Sequence, residues 1–123
     1  MVRFRVGKSY RFKRMKVAAI IFSRMASSRL PGKALRHIAG EPLIKRVINR
    51  VSKVKKLSTV VVATSNSKND DRLVEYIQSL NIEVFRGAAH DVLDRAVSCA
   101  SYLGVDKFVR INGDSPLIDP ELL

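Results

Sequence analysis

From Val17 to Phe22 the chain reads VAAIIF, with Lys16 before the run and Ser23 after it. An unbroken apolar stretch of this length, bounded by polar residues, predicts a strand covered on both faces. Pro42 suits a first helical turn. Beyond it Leu43, Ile44, Val47, Ile48, Val51 and Val54 recur at helical spacing, with Lys45, Arg46, Asn49, Arg50 and Lys53 between them. That alternation predicts an amphipathic helix. TVVVAT at 59–64 predicts a second, β-branched strand. Asn69 or Asp70 can cap the next helix, whose apolar face is Leu73, Val74, Ile77 and Leu80. IEVF at 82–85 predicts a short third strand. A third helix starts near Asp91, carries Val92, Leu93, Ala96, Val97, Ala100 and Leu103 as its apolar positions, and stops at Gly104. KFVRI at 107–111 is the fourth strand.

Strands alternating with helices imply right-handed crossovers and a mostly parallel sheet with helices on both faces, an α/β Rossmann-like three-layer sandwich. In such open sheets ligands bind beyond the carboxyl ends of the strands. The segments that fall there are SRMASSRLPGK, SNSKNDD, RGAAHD and NGDSPLID. All are polar, three place glycine next to a charge, and the last carries acids. This convergence points to a site.

Charge refines the picture. The 123 residues carry a formal net charge of +12. Residues 1–16 hold Arg3, Arg5, Lys8, Arg11, Lys13, Arg14 and Lys16 and no acid, so more than half of the excess belongs to an N-terminal basic arm. The arm reads as an appendage to a single domain at 17–123, although the alternation in VRFRV also suits a short strand. The run KRVINRVSKVKK reads as a solvated helix face, because no aromatic residues interleave with it to stack bases; nucleic acid is not the expected partner. No apolar stretch approaches the roughly 20 residues that span a bilayer, no secretory pattern follows the basic start, and the one cysteine, Cys99, forms no internal disulfide. A cytoplasmic setting with no membrane partner is the expectation.

Two chemistries remain. The loop from Ser23 to Lys33 holds Arg24, Arg29 and Lys33, small residues at Ala26, Ser27 and Ser28, and a Pro31-Gly32 turn. Its backbone N–H groups can approach an anion closely, and each charge-assisted hydrogen bond to a phosphate contributes roughly 1.5–3 kcal/mol. The same composition suits a solvated basic loop. It is not a Walker loop, since Ser27 stands where glycine is needed and Ala34 follows the lysine. Asp114, after Asn112-Gly113, is placed to bind Mg²⁺ together with phosphate oxygens, or it belongs to a simple Asn-Gly-Asp turn. Asp119 reads as a helix cap before Pro120, Asp70 and Asp71 as helix-start acids. His37 and His90 read as surface residues, and Cys99 as a buried inert thiol.

The stretch AIIFSRMASSRLPGKALRHIAGEPLIKRVINRV resembles the N-terminal signature of the CMP-sugar cytidylyltransferases, the family of the acylneuraminate and 3-deoxy-manno-octulosonate cytidylyltransferases. Matching positions are Ser23-Arg24 (serine for the usual alanine), Ser27, Arg29 to Lys33, and Gly40-Glu41-Pro42-Leu43-Ile44. VVVATSNSKNDDRLVEYIQSLNIEVFRGAAHDVLDRA and VRINGDSPLIDPELL resemble most the branch of the spore coat polysaccharide synthesis F proteins. The resemblance covers residues 17–123. It implies a nucleotide-diphospho-sugar transferase fold, here cut after the fourth strand as an N-terminal fragment. It also implies Mg²⁺-dependent transfer of CMP from CTP to a sugar, a 2-keto-3-deoxy sugar acid in the first instance, for surface polysaccharide or glycan synthesis. By motif position Arg24, Arg29 and Lys33 would hold the triphosphate, and Asp114 the metal. Ala63, Thr64, Arg86 and Gly87 would lie near base and ribose, with Asn112 and Gly113 as the nucleotide floor. In the family the C-terminal part supplies a second metal-binding aspartate, much of the sugar pocket and the homodimer contacts. Transfer to another sugar or small alcohol, and a nucleotide- or polyanion-binding fragment without turnover, are the alternatives.

Overall fold

The computed structural model describes residues 2–3, 16–26 and 32–114. Four strands run parallel: β2 (Val17–Phe22), β5 (Thr59–Ser65), β6 (Glu83–Gly87) and β7 (Lys107–Asn112). Their spatial order is β7-β2-β5-β6, and β1 (Val2–Arg3) joins the outer edge of β7 antiparallel. The first strand is thus central, with β5 on one side and β7 on the other. The chain winds outward through α1 (Leu43–Ser52) and α2 (Asp71–Ser79) over one face and returns through α3 (Val92–Leu103) over the other. The reversal leaves a crevice at the carboxyl ends of β2 and β7.

The continuous apolar run of β2 serves both layers. Ala19 and Ile21 pack with Leu43, Ile44, Val47, Ile48 and Val51 of α1 and with Leu73 and Ile77 of α2. Ala18, Ile20 and Phe22 pack on the opposite face with Ala96, Cys99 and Ala100 of α3. The Cys99 thiol is buried, and burial, with Glu83 adding to it, pushes its pKa up to about 12.

Four expectations shift. Pro42 does not enter α1: it pairs with His37 in a small hairpin of β3 (His37–Ile38) and β4 (Glu41–Pro42). The hairpin turns through Ala39 and Gly40 at φ 53° and 89°, the double left-handed geometry of a tight turn. Arg46 of α1 clamps it, donating to the Ile38 and Ala39 carbonyls at 2.6 and 2.8 Å. Val54 lies beyond the end of α1, and the third strand extends through Gly87. On α3, Leu93 and Val97 are exposed, at 72% and 41%. The face turned to the sheet is Arg95, Ala96, Cys99 and Ala100, a helical arc that leaves Leu93 and Val97 outside it.

Candidate functional site

At the end of β2 the backbone peels away from the sheet under several restraints. Ser23, nearly buried, donates its N–H to the Ala63 carbonyl at 3.3 Å. The Met25 N–H donates to Asp70 Oδ1 at 2.7 Å, and the Gly32 N–H closes back on the Met25 carbonyl at 2.8 Å. Gly32 has φ 77°, a left-handed geometry that suits glycine, and leads into a 3-10 turn at Lys33–Leu35. The two ends of the loop are therefore tied together at Met25 and Gly32. Ser27 and Arg29 lie outside the described residues, as does Asp119.

Asp70 is the residue the sequence did not single out for this role. It is 1% exposed, receives the Met25 N–H, and accepts a short hydrogen bond from the Ser65 hydroxyl. Arg24 Nε stands 3.8 Å from Asp70 Oδ2, the oxygen that also accepts from Ser65. It makes no side-chain cap to α2; Ser67 caps the preceding 3-10 turn instead, accepting from the Asn69 N–H at 3.2 Å. Asp70 is thus a buried anchor for the loop after β2. Asp71 remains at the helix start, exposed and paired with Arg86 at 2.9 Å. The signal for Asp70 was its place beside Leu73 and Ile77 on the inward face of the segment.

The fourth strand delivers its turn alongside. Asn112 is in register with Phe22, and the Gly113 N–H donates to the Phe22 carbonyl at 2.9 Å. A Cβ at Gly113 would stand 2.7 Å from that carbonyl oxygen and 2.9 Å from Ser23 Cβ. Only glycine permits the approach. Asp114 follows, half-exposed, with Oδ2 3.4 Å from Lys33 Nζ. The cationic loop leaving β2 and the carboxylate leaving β7 share one crevice.

The remaining expected residues divide. Arg24 reaches across to the Ala89 carbonyl at 2.6 Å, bridging the loops after β2 and β6. Arg86 spends its donors on the Ser65 and Ser67 carbonyls, at 2.9 and 2.7 Å, and on Asp71, so it ties β6 to the loop after β5. Ala63 and Thr64 are fully buried within β5; Ala63 packs with the core beneath α3, and Thr64 Oγ1 has no hydrogen-bond partner among the described residues. Gly87 accepts the Asn66 N–H at 3.0 Å and lies against Arg95. His37 and His90 are exposed. Among the described residues no group of three or more His, Cys, Asp or Glu could by itself hold a metal. A single carboxylate beside a cationic loop does fit Mg²⁺, which usually takes one or two carboxylates and completes its shell with substrate oxygens and water. Among the same residues no helix is long and apolar enough to cross a membrane.

Residues 18–123 match the model of a family described as cytidylyltransferase. The chain is 37% identical over 111 residues to 3-deoxy-manno-octulosonate cytidylyltransferase of Geobacter sulfurreducens, covering 89% of this chain and 43% of that protein. It is 38% identical over 108 residues to the spore coat polysaccharide biosynthesis protein SpsF of Bacillus subtilis, covering 85% and 45%. A solved structure of CMP:2-keto-3-deoxy-manno-octonic acid synthetase complexed with CTP superposes with a TM-score of 0.77 at 32% identity, over 86% of this chain and 43% of that one. The chain thus spans less than half the length of these relatives.

Proposed function

Because the chain belongs to the cytidylyltransferase family, we propose that it serves nucleotidyl transfer from CTP to a sugar, giving a CMP-sugar and pyrophosphate, in cytoplasmic synthesis of a surface polysaccharide or glycan. A 2-keto-3-deoxy sugar acid is the acceptor this reading favours, in line with the named activity of the Geobacter sulfurreducens relative. The observation that carries the reading is the meeting of Lys33 and Asp114, 3.4 Å apart, where the loops after β2 and β7 leave the sheet.

The transfer is a displacement: a sugar oxygen bonds to the α-phosphorus and the bond to the β-phosphate oxygen breaks. It requires aligned reactants and neutralised phosphate charge rather than a covalent nucleophile on the protein. Lys33 and Arg24, with Arg29 of the same loop, bind the triphosphate. Asp114 is the residue that would hold Mg²⁺, which when bound polarises the phosphoryl oxygens. Asp70 keeps the loop after β2 in place by holding the Met25 N–H. Gly113 sets the carboxylate of the next residue against the loop. The acceptor sugar and a homodimer contact fall to the portion that the longer relatives possess and this chain does not span.

Asp114→Asn tests the assignment. The side chain is half-exposed and its only described partner is Lys33, so the variant retains its circular dichroism spectrum and melting temperature. Its CTP affinity in Mg²⁺ falls at least tenfold toward the metal-free value, as read by calorimetry. Undiminished Mg²⁺-dependent affinity would contradict the role given to Asp114.

A further inference from the structure

Arg95, in the first turn of α3, is buried to 3% exposure, and its Nε and Nη1 have no hydrogen-bond partner among the described residues. Arg24 Nε is buried too and makes no hydrogen bond among the described residues, its nearest acid being Asp70 Oδ2 at 3.8 Å. The guanidinium of Arg95 lies 5.6 Å from the centre of the Phe22 ring, and that of Arg110 lies 5.2 Å from it. Arg24 and Asp70 act on Arg95 electrostatically. Arg95 and Arg110 therefore stand by Phe22, at the carboxyl end of β2, with Arg24 near enough to Arg95 to act on it. Asp70 is the acid among them, and its two oxygens are already engaged by the Met25 N–H and the Ser65 hydroxyl.

An unpaired buried cation costs several kcal/mol of folding free energy, and an apolar side chain of the same volume would serve the core better. The cation–π contacts with Phe22 offset part of this, but they satisfy none of the N–H groups. The surroundings nonetheless make room for the guanidinium. A Cβ at Gly87 would stand 3.1 Å from Arg95 Cγ and 3.0 Å from the Phe85 ring, so the end of β6 is cut back where Arg95 enters. Burial, and next the neighbouring Arg24, lower the pKa of Arg95; an arginine remains charged all the same. The local balance is positive and short of acceptors.

We propose that Arg95, with Arg24 and Arg110, forms an oxyanion subsite at the end of β2, in which a phosphate or carboxylate group of a substrate accepts the unpartnered N–H groups of Arg95 and Arg24. The fork of a guanidinium matches either anion in a bidentate manner. The proposal deepens the nucleotidyl-transfer reading, on which the naming of the anion as a nucleotide phosphate or a sugar-acid carboxylate rests. Inorganic pyrophosphate probes the subsite independently of it.

The test uses the full chain and the variants Arg95→Met and Arg95→Lys. Melting temperature is measured without ligand, and affinities are measured for CTP, cytidine, inorganic pyrophosphate and 3-deoxy-manno-octulosonate. Arg95→Met removes an unpaired buried charge, so the ligand-free protein melts higher than the parent. The same variant loses at least tenfold in affinity for CTP and pyrophosphate if the anion is a phosphate, or for the sugar acid if it is a carboxylate. Cytidine binds it as it binds the parent, and Arg95→Lys regains part of the loss. Anion affinities within twofold of the parent in both variants would overturn the subsite while leaving CTP binding, and the functional reading, intact. A parent that binds pyrophosphate through Arg95 but ignores CTP would keep the subsite and sink the cytidylyl reading. A lower melting temperature for ligand-free Arg95→Met, or a parent that binds none of the anions, would also end the proposal, since the arginine would then be a structural support.

Discussion

At the scale of single residues, the crevice is organised by a group that the sequence presents as unremarkable. Asp70 stands in a run of polar residues ahead of a helix, where an acid is ordinarily explained by the helix dipole. Its burial beneath the loop after β2 depends on contacts across 45 residues of sequence, and no local pattern encodes a partner that distant. Asp70→Asn keeps the shape and removes the charge that binds the Met25 N–H and faces Arg24. A hydrogen bond to a charged group contributes about 1.5–3 kcal/mol, so unfolding in urea should show a loss of about 2 kcal/mol. A loss below 0.5 kcal/mol, within the usual range for surface changes, would show that the carboxylate does not anchor the loop. Lys33, Gly32, Gly113 and Asp114 were legible because a basic loop with a Pro-Gly turn and an Asn-Gly-Asp turn are local signals. Arg95 was not, because a lone arginine in a helix reads as solvated until the rotation of the helix is known.

At the scale of elements, the alternation of apolar runs located every parallel strand and each helix. What it misjudged was the rotation of α3. Leu93 and Val97 are the larger side chains, and weighting by size draws the apolar stripe toward them. The sheet beneath is lined by Phe22 and Phe108, which fill the space, so the helix presents its small residues Ala96, Cys99 and Ala100 there. Leu93→Glu should therefore alter stability by less than about 0.5 kcal/mol. Ala96→Glu, forcing a carboxylate into the core at a position 6% exposed, should cost more than 3 kcal/mol or prevent folding. Chemical denaturation of the two variants checks the orientation, and equal losses would reverse it. Pro42 illustrates the opposite error: proline is at home both in a first helical turn and at the end of a short edge strand, and the Ala39-Gly40 turn decided between them.

At the scale of the whole molecule, charge and fold are separable. Residues 1–15 carry six of the cations and no acid. Lys16 belongs to the domain, because its N–H donates to Asp106 Oδ2 at 2.8 Å and its carbonyl accepts from Asp106 and Lys107. Deletion of residues 1–15 should lower the salt concentration that elutes the protein from heparin while leaving CTP affinity within twofold. A larger fall in CTP affinity would assign the arm to the crevice. Val2–Arg3, paired with Phe108 and Lys107 on the far side of β7, gives the first residues a place on the sheet edge.

The glycine at 113 carries a mechanical implication. With no atom's width between it and the strand beside it, the carboxylate turn and the root of the cationic loop move as one block. On the proposed function, a polyphosphate arriving there would find Lys33 and Asp114 already 3.4 Å apart, and little of its binding energy would be consumed in drawing two walls together. Capture should then be governed by diffusion and ionic strength rather than by a slow closing step.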